Sequence, residues 1–307
     1  MNVFLENVNL NSTSGPNSFA SKLKKYLENN GCSFDKRIEN SDVRLCFIES
    51  HVIDNSTPMI QRLDGIYFNK QQDYSRQNEN IKRTYEMSNG VVFQSSFNKD
   101  LVFKYFGPHD NYSIIHNGAD VDLINKVDPI HHPILSKYDN IWSCAAAWRP
   151  HKRLQDNINY FLEHKGQNDC LVVAGETAMK NELPDVFYTG NITPPQLISL
   201  YKASKYFLHL AWLDHCPNVV VDARASGCKI ICSSSGGTKE IAGQDAIVIE
   251  EEEWNFDPVE LYKPPAINFD KKIKNSYDID YNMSVVASKY KKFLGHFINE
   301  GLYTKSK

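Results

Sequence analysis

The sequence predicts an α/β protein with two Rossmann-like, doubly wound domains facing each other across a cleft. Apolar strand-type runs alternate with helix-type periods in two successive series, which is typical of parallel sheets covered by helices. A length of 307 residues allows two moderate cores. The composition, 41% hydrophobic and 23% charged, is that of an ordinary globular protein. We expect an N-terminal domain over residues 1–128, a second over 129–280, and a final helix over 281–307 that packs back on the first.

The first series begins with a short apolar strand, a loop of small residues and a helix, which together open a βαβ unit. Gly31 ends that helix. Its predicted strands are 3–9, 34–38, 43–49, 90–94 and 112–115, and its predicted helices are 19–29, 74–87 and 98–105. The stretch 127–138, interrupted by Pro129 and Pro133, breaks the pattern and is predicted to be the interdomain linker.

The second series repeats the alternation. Its predicted strands are 140–146, 170–174, 186–189, 206–210, 229–232 and 246–249, and its predicted helices are 154–164, 195–203, one starting at Pro217 or Asn218, and 258–262. A long amphipathic helix over 281–299 closes the chain. The four glutamates at 250–253 are predicted to be a solvent-exposed charge run.

Bulk properties exclude several classes of function. A net charge of -3 argues against a nucleic-acid partner. The sequence has no run of 18 apolar residues, the length needed to span a membrane, so membrane contact is expected to be peripheral at most. The first residues lack the basic flank and long apolar core of a signal peptide. Seven scattered cysteines without a Cys-x-x-Cys pair are typical of reduced thiols, so we expect a cytoplasmic protein.

The segment around Asp214 and Asp222 carries the strongest functional signal. These two acids stand eight residues apart, and Pro217-Asn218 between them is typical of a helix start. The backbone N–H groups of a first helical turn bind anions such as a diphosphate. Carboxylates accept hydrogen bonds from hydroxyl groups, as on a sugar and a ribose. The alternative interpretation is an ordinary amphipathic helix with one surface aspartate.

A cationic loop follows the first strand of the second series. Arg149 offers paired donors and Lys152 a point charge, and both suit a diphosphate. The alternative is a basic helix start that faces solvent. That alternative is weakened because cations are unfavourable at a helix N-terminus unless an anion joins them.

Asp214 and Asp222 with the residues between them resemble the Glu-x7-Glu signature of retaining, nucleotide-sugar-dependent glycosyltransferases of the GT-B fold. The nearest group is glycosyltransferase family 4, the glycosyl transferases group 1. Both glutamates are aspartates here, one methylene shorter. Other segments match the family in order: the loop at 14–19, Asn-Gly-x-Asp at 117–120, strand ends at 172–176 and 188–192, and Gly-Gly-Thr-x-Glu-Ile at 236–241.

The resemblance implies a hexosyltransferase that moves a sugar from a nucleoside-diphosphate-sugar to a hydroxyl of a glycan, lipid or small molecule. It implies retention of the anomeric configuration, no metal and no other cofactor. Carried over residue by residue, the catalytic positions are Arg149, Lys152 and Asp214. The donor-binding positions are Asp222, Pro217, Asn218, Val219, Gly175, Asn191, Ile192, Gly236 and Gly237. The acceptor-side loops are Gly15-Pro16 and Asn117-Gly118.

His51 is a further catalytic candidate, because it follows the strand at 43–49 and a histidine there would polarise the sugar or orient the acceptor. A purely structural histidine is the alternative. Two other functions stay open at this point. The aspartates in place of glutamates suggest a catalytically weak nucleotide-sugar-binding protein, and the same fold also serves nucleotide-sugar epimerases and hydrolases.

Overall fold

The computed structural model describes residues 1–12, 14–54, 56–180 and 182–304, with side chains as far as residue 298. The described chain divides into two compact units. The N-terminal unit contains Met1–Gly118, Phe256–Val259 and the described residues from Asp280 onward. The C-terminal unit contains Ala119–Asn255 and Glu260–Ile279. The boundary between the two units lies between residues 118 and 119, whereas the sequence analysis expected it after residue 128.

Strands and helices alternate along both units. The strands are β1 (Asn2–Glu6), β2 (Ser33–Asp35), β3 (Val43–Phe47), β4 (Met59–Leu63), β5 (Gly90–Phe93), β6 (Tyr112–Ile114), β7 (Asn140–Ala145), β8 (Asp169–Ala174), β9 (Val186–Gly190), β10 (Ser204–His209), β11 (Lys229–Ser233), β12 (Ile247–Ile249) and β13 (Lys272–Lys274). The helices are α1 (Gly15–Asn29), α2 (Tyr74–Met87), α3 (Ser96–Phe106), α4 (Val121–Lys126), α5 (Leu154–His164), α6 (Pro194–Ala203), α7 (Asn218–Ala225), α8 (Thr238–Ile241) and α9 (Met283–Thr304).

The N-terminal unit is built on a six-stranded parallel sheet with the order β2-β1-β3-β4-β5-β6. The order reverses beside β1, which makes the sheet doubly wound. Helices α1 and α9 pack together on it. Their apolar faces meet at Phe19 and Tyr290, whose rings lie 6.0 Å apart. The last helix therefore shares its core with the first residues of the chain.

The C-terminal unit is built on a seven-stranded sheet with the order β13-β12-β11-β10-β7-β8-β9. All pairs are parallel except the edge pair β12–β13. From β7 the chain first adds β8 and β9 on one side, and later β10, β11 and β12 on the other. Strand order thus reverses between β7 and β10, where open α/β sheets bind ligands. The predicted fold class of two doubly wound α/β domains is confirmed.

Two local expectations were wrong. The predicted helix at 258–262 does not form, because Val259 is drawn into a parallel bridge with Asn69. Its N–H donates to the carbonyl of Phe68 at 3.2 Å, and its carbonyl accepts from the N–H of Lys70 at 2.9 Å. The glutamate run at 250–253 is not uniformly solvated, since the side chain of Glu251 is only 5% exposed.

Strand β4 was not predicted from the sequence. Two of its central residues, Gln61 and Arg62, are polar, yet both are fully buried. They interrupt the apolar run by which a buried strand is recognised. Helix α4 was also missed. It is short, and it begins where Asp120 accepts a hydrogen bond from the N–H of Leu123 at 3.1 Å.

None of the helices in the described part of the chain combines the length and the apolar character needed to cross a bilayer.

A buried ion pair fixes the strands of the N-terminal sheet where its order reverses. The guanidinium of Arg44 on β3 donates through Nη2 to Oε2 of Glu6 on β1 at 2.7 Å. Ser50 also donates to this glutamate, through its hydroxyl. Arg44 and Glu6 are 1% and 6% exposed. Charges buried to this degree need their partners, because neither regains water when the other is removed.

We therefore expect Glu6→Ala to lower the free energy of unfolding by about 3–5 kcal/mol, since it leaves the buried guanidinium of Arg44 with only the more distant carboxylate of Asp54, at 3.9 Å. The control is Glu28→Ala, which removes an exposed i,i+4 pair with Lys24 and is expected to cost at most about 1 kcal/mol. Urea unfolding of both variants measures the difference. Equal losses in the two variants would contradict this account of the buried pair.

Candidate active site

The candidate site lies where strand order reverses in the C-terminal sheet. The loop 146–153 follows β7, and the loop 210–217 follows β10. Because β7 and β10 are parallel neighbours, their carboxyl ends bring these two loops together. One carries the predicted Lys152 and the other the predicted Asp214, which are 62 positions apart in sequence.

Asp214 is the centre of a compact polar cluster. Its Oδ2 accepts from Nζ of Lys152 at 2.5 Å and from Nε2 of His209 at 2.8 Å. Its Oδ1 accepts from the backbone N–H of His215 at 3.0 Å. The side chains of Lys152, Asp214 and His209 are 19%, 14% and 4% exposed. The site therefore holds an ion pair and a histidine with little access to solvent.

The charges of this cluster follow from its surroundings. Burial alone raises the pKa of Asp214, but attraction to Lys152 and the hydrogen bond from His209 outweigh it and hold that pKa well below its usual value. Burial lowers the pKa of His209, against the opposing effect of Asp214. At neutral pH Asp214 is therefore an anion and His209 is neutral. Because an ionised carboxylate only accepts, Nε2 of His209 carries the hydrogen.

A buried pair beneath the cluster holds the loops in place. Arg153 is a non-glycine residue in the left-handed region, with φ 54°, between the 3-10 turn Pro150–Lys152 and α5. Its guanidinium makes two hydrogen bonds to Glu251, at 2.9 and 2.7 Å. It also donates to the carbonyls of Leu210, at 3.3 Å, and Pro265, at 2.7 Å. The pair ties the ends of β7 and β10 to the segment that follows β12.

Arg153 and Glu251 were not predicted as site residues. Glu251 stands among three other glutamates, and the pattern of the run does not distinguish it from them. His209 was missed because it ends an apolar strand, where a single histidine is a weak signal. Only the folded chain shows which of these side chains have partners.

Gly236 and Gly237 fix the backbone of Asp214. The N–H of Gly237 donates to the carbonyl of Asp214 at 2.8 Å, and Gly236 forms a parallel bridge with Asp214. Gly236 has φ +87°, and a Cβ atom on it would lie 2.5 Å from the carbonyl oxygen of Asp214. The predicted Gly-Gly element therefore contacts the predicted carboxylate residue directly.

Helix α7 begins at Asn218, where the Pro-Asn spacing places its start. Pro217 is the N-cap, and its carbonyl accepts from the N–H of Val220 at 3.1 Å. The N–H groups of Asn218 and Val219 precede the first intrahelical bond and point out of the helix start. Asp222 is half-buried one turn further in.

The ends of β8 and β9 form the next part of this sheet edge. The N–H of Gly175 donates to the carbonyl of Gly190 at 2.9 Å. Gly175 has φ +102°, and a Cβ atom there would lie 2.1 Å from the carbonyl of Ala146, so only glycine fits. Asn191 accepts through Oδ1 from the N–H of Glu176 at 3.2 Å.

The other predicted donor-side residues lie on neighbouring positions. Ile192 follows Asn191 and is half-buried. Arg149 is exposed and caps the 3-10 turn Pro150–Lys152. In the C-terminal unit the structure thus brings Lys152, Asp214, Gly236 and Gly237 into direct contact.

The predicted acceptor-side and remaining catalytic residues belong to the N-terminal unit. Gly15 and Pro16 form the first turn of α1. His51 follows β3, and its side chain is 71% exposed. Its ring lies 3.8 Å from a carboxylate oxygen of Glu49 and 3.4 Å from the amide of Asn80. The catalytic role of His51 stays a prediction.

Asn117 and Gly118 serve the packing of the N-terminal unit. The side chain of Asn117 is buried, accepts from Arg62 at 2.7 Å and donates to Gln94 at 3.3 Å. The carbonyl of Gly118 accepts from Lys22 at 2.9 Å. A Cβ atom on Gly118 would lie 2.9 Å from a methyl of Val286 on α9. These contacts give the Asn-Gly segment a structural role, and its acceptor role stays a prediction.

Among the described residues, no three His, Cys, Asp or Glu side chains form a group able to hold a metal ion. Metal independence stays a prediction of the family resemblance.

The two doubly wound sheets resemble the fold of GT-B glycosyltransferases. Residues 140–260, which contain the whole cluster, match the family model described as glycosyl transferases group 1. This match confirms the resemblance drawn from the sequence motifs. No curated protein sequence matches the chain.

Solved structures of similar fold include glycosyltransferases. Sucrose-phosphate synthase from Thermosynechococcus elongatus is similar with a TM-score of 0.68 and 10% identity, over 98% of this chain and 100% of that one. HepE of Anabaena, solved with UDP, is similar with a TM-score of 0.64 and 11% identity, over 96% of this chain and 99% of that one. WaaG, a glycosyltransferase of lipopolysaccharide biosynthesis, is similar with a TM-score of 0.59 and 11% identity, over 97% of this chain and 95% of that one. At these identities the likeness shows the fold alone.

One prediction for this site concerns Gly236. We expect Gly236→Ala to displace the backbone of Asp214 and to destabilise the protein more than Gly227→Ala. Both glycines have positive φ, so both substitutions carry a strain of roughly 1–2 kcal/mol. Only at Gly236 does the new Cβ meet backbone, whereas nothing lies within 4 Å at Gly227. Thermal unfolding of the two variants measures the difference, and equal melting temperatures would contradict the close approach.

Another prediction concerns His151, which is buried in the same loop as Lys152. Its ring stacks on Tyr262 at 5.7 Å, and its Nδ1 has no hydrogen-bond partner. Burial, helped by repulsion from Lys152, lowers the pKa of His151 to about 3. A histidine whose pKa is lowered on folding binds protons more readily when unfolded. Its effect on stability therefore appears as the pH falls below the unfolded value, near 6.5.

Between about pH 7 and about pH 5, His151 is expected to remove about 2 kcal/mol from the free energy of unfolding. His151→Phe keeps a ring against Tyr262 but does not titrate, so its stability is expected to fall less over this range. Denaturant unfolding at the two pH values gives the change in the free energy of unfolding for the wild type and for the variant. Equal changes in the two proteins would overturn the assignment of this effect to His151.

Proposed function

We propose that the protein is a retaining hexosyltransferase that moves a sugar from a nucleoside-diphosphate-sugar to an acceptor hydroxyl. The observation that carries this proposal is the cluster of Lys152, Asp214 and His209. It lies at the reversal of strand order in the C-terminal sheet, within the segment that matches the glycosyl transferases group 1.

The leaving diphosphate is bound by Lys152, by Arg149 and by the start of α7. Lys152 and Arg149 supply positive charge from the loop after β7. The N–H groups of Asn218 and Val219 lie at the positive end of the helix dipole. Preorganised charge of this kind lowers the barrier, because negative charge develops on the diphosphate as the glycosidic bond breaks.

Asp214 binds hydroxyls of the transferred sugar, and Asp222 binds the ribose. Backbone groups at Gly175, Asn191 and Ile192 border the base, and Gly236-Gly237 close the site over the donor. Glycoside hydrolases use two carboxylates that flank the scissile bond. In the proposed site one carboxylate is held in an ion pair, which favours a reaction in which the departing phosphate accepts the proton of the acceptor hydroxyl on the same face.

The acceptor side is assigned to the N-terminal unit, with Gly15, Pro16, Asn117, Gly118 and His51 as its candidate residues. The acceptor is a hydroxyl of a glycan, a lipid or a small molecule. We also propose a reaction without metal and a cytoplasmic location. The location is supported by the seven cysteines, all of which are buried thiols outside any disulfide.

A uridine donor is the first to test, since HepE has been solved in complex with UDP-glucose. The test is a thermal-shift screen of the protein against UDP, GDP, ADP, TDP and their sugar conjugates without added metal. A ligand that binds only the folded state raises the melting temperature. Donor consumption and the anomeric configuration of the product then separate transfer with retention from hydrolysis or mere binding. Failure of every nucleotide to stabilise the protein would refute the proposal.

A prediction that follows from this proposal concerns Lys152. We expect Lys152→Ala to weaken binding of the stabilising nucleotide diphosphate about 10- to 100-fold, because a hydrogen bond to a charged group contributes about 1.5–3 kcal/mol. Lys205→Ala is the control, since Lys205 is an exposed lysine of the same unit. Titration calorimetry at a temperature where both variants are folded gives the affinities. Unchanged affinity in Lys152→Ala would remove Lys152 from the donor site.

A further inference from the structure

One oxygen of Asp214 serves two donors. Nζ of Lys152 and Nε2 of His209 both bind Oδ2, at 2.5 and 2.8 Å. The other oxygen accepts the N–H of His215. The carboxylate is thus held by one cation, one neutral ring and one backbone group, and it is little exposed.

The proposed function requires Lys152 to bind the diphosphate. When Nζ turns towards the phosphates, Asp214 loses its ion-pair partner while it remains mostly buried. A buried carboxylate without a cation is costly, and the cost is relieved either by protonating the carboxylate or by bringing in another charge. His209 is already in place at 2.8 Å, and histidine readily changes charge near neutral pH.

The groups around His209 decide which of these occurs. From the loop after β7 it faces Lys152 and His151, and from the loop after β10 it faces Asp214. On the neighbouring strand β11 its register partner is Cys232, and burial raises the pKa of that thiol to about 12, so the thiol is neutral. Arg153 lies close by, but its charge is balanced by Glu251. Lys152 and Asp214 are therefore the charges that act on His209 most directly.

Without a ligand, Lys152 and Asp214 have opposite effects on the pKa of His209. Burial is the main cause that lowers the pKa of His209, repulsion from Lys152 lowers it further, and Asp214 raises it. When Lys152 moves away, its lowering effect on the pKa of His209 is lost, while the raising effect of Asp214 remains. The ring then gains a proton on Nδ1 from solvent while Nε2–H continues to bind Asp214.

We propose that His209 is a positioning residue that takes up a proton when an anion draws Lys152 away from Asp214, and so keeps Asp214 ionised and in place for the sugar. The identification of that anion as a nucleoside diphosphate rests on the proposed function. The response of His209 to the loss of Lys152 does not.

The first experiment needs no ligand. Lys152→Met imitates the withdrawal of the cation, and Lys205→Met is the matched control at an exposed lysine of the same unit. The ring Cε1–H signals of protein with ¹³C-labelled histidine are followed against pH, and His209→Gln assigns the signal of His209. We expect the pKa of His209 to rise by about 1 unit or more in Lys152→Met, because a charge a few ångströms away shifts a pKa by that much. An unchanged pKa would overturn the inference.

The second experiment measures proton uptake on binding. UDP-glucose is titrated into the protein near pH 7 in two buffers of different ionisation enthalpy, since the sugar conjugate itself does not titrate near that pH. We expect uptake of up to one proton per site in the wild type and none in His209→Gln, whose amide still donates to Asp214. A residue with a merely structural role would leave this number unchanged.

The outcomes separate the two proposals. Binding of UDP-glucose without proton uptake would overturn the role of His209 and leave the transferase proposal standing. A raised pKa in Lys152→Met together with no binding of UDP-glucose would support the role of His209 and count against a uridine donor.

Discussion

The ion pair between Lys152 and Asp214 is the interaction on which the rest of the site depends. Both charges are taken largely out of water, so each needs the other, and their attraction closes the gap between the loops after β7 and β10. A buried ion pair contributes little net stability compared with an apolar contact. In the proposed function the value of the pair is to keep one cation and one carboxylate ready at the edge of the sheet where open α/β sheets bind ligands.

The surroundings of this pair are rigid for specific reasons. Arg153 and Glu251 make a buried, doubly hydrogen-bonded pair beside it, and carbonyl groups from two further segments also accept from the guanidinium. Gly236 brings the loop after β11 so close to Asp214 that no side chain fits between them. Three loops from three strands therefore converge on one carboxylate, and its position is set by backbone contacts as well as by charge. This is the preorganisation that electrostatic catalysis requires.

The sequence predicted what is local. Helices α2 and α5 have the expected bounds, and α7 begins at the expected Pro-Asn step, because apolar periodicity and capping residues act over a few positions. The errors arise where distant partners decide the outcome. Arg62 fits a buried strand because the nearby Asp64 and the distant Tyr290 and Asn117 bind its guanidinium. Val259 leaves a helical pattern to pair with Asn69. Glu251 is distinguished from its neighbours by its bonds to Arg153 and Ser233. Spacing identified Lys152 and Asp214 as candidates, but their pairing and the presence of His209 are properties of the fold.

Hydrogen–deuterium exchange of the backbone, with and without a nucleoside-diphosphate-sugar that stabilises the protein, is the most direct measure of where the donor binds. The account predicts slower exchange in three segments, 149–153, 214–222 and 236–240, since the diphosphate would lie against the loop after β7, the start of α7 and the glycines after β11. Slower exchange confined to the N-terminal unit, with these three segments unchanged, would contradict the assignment of the donor site.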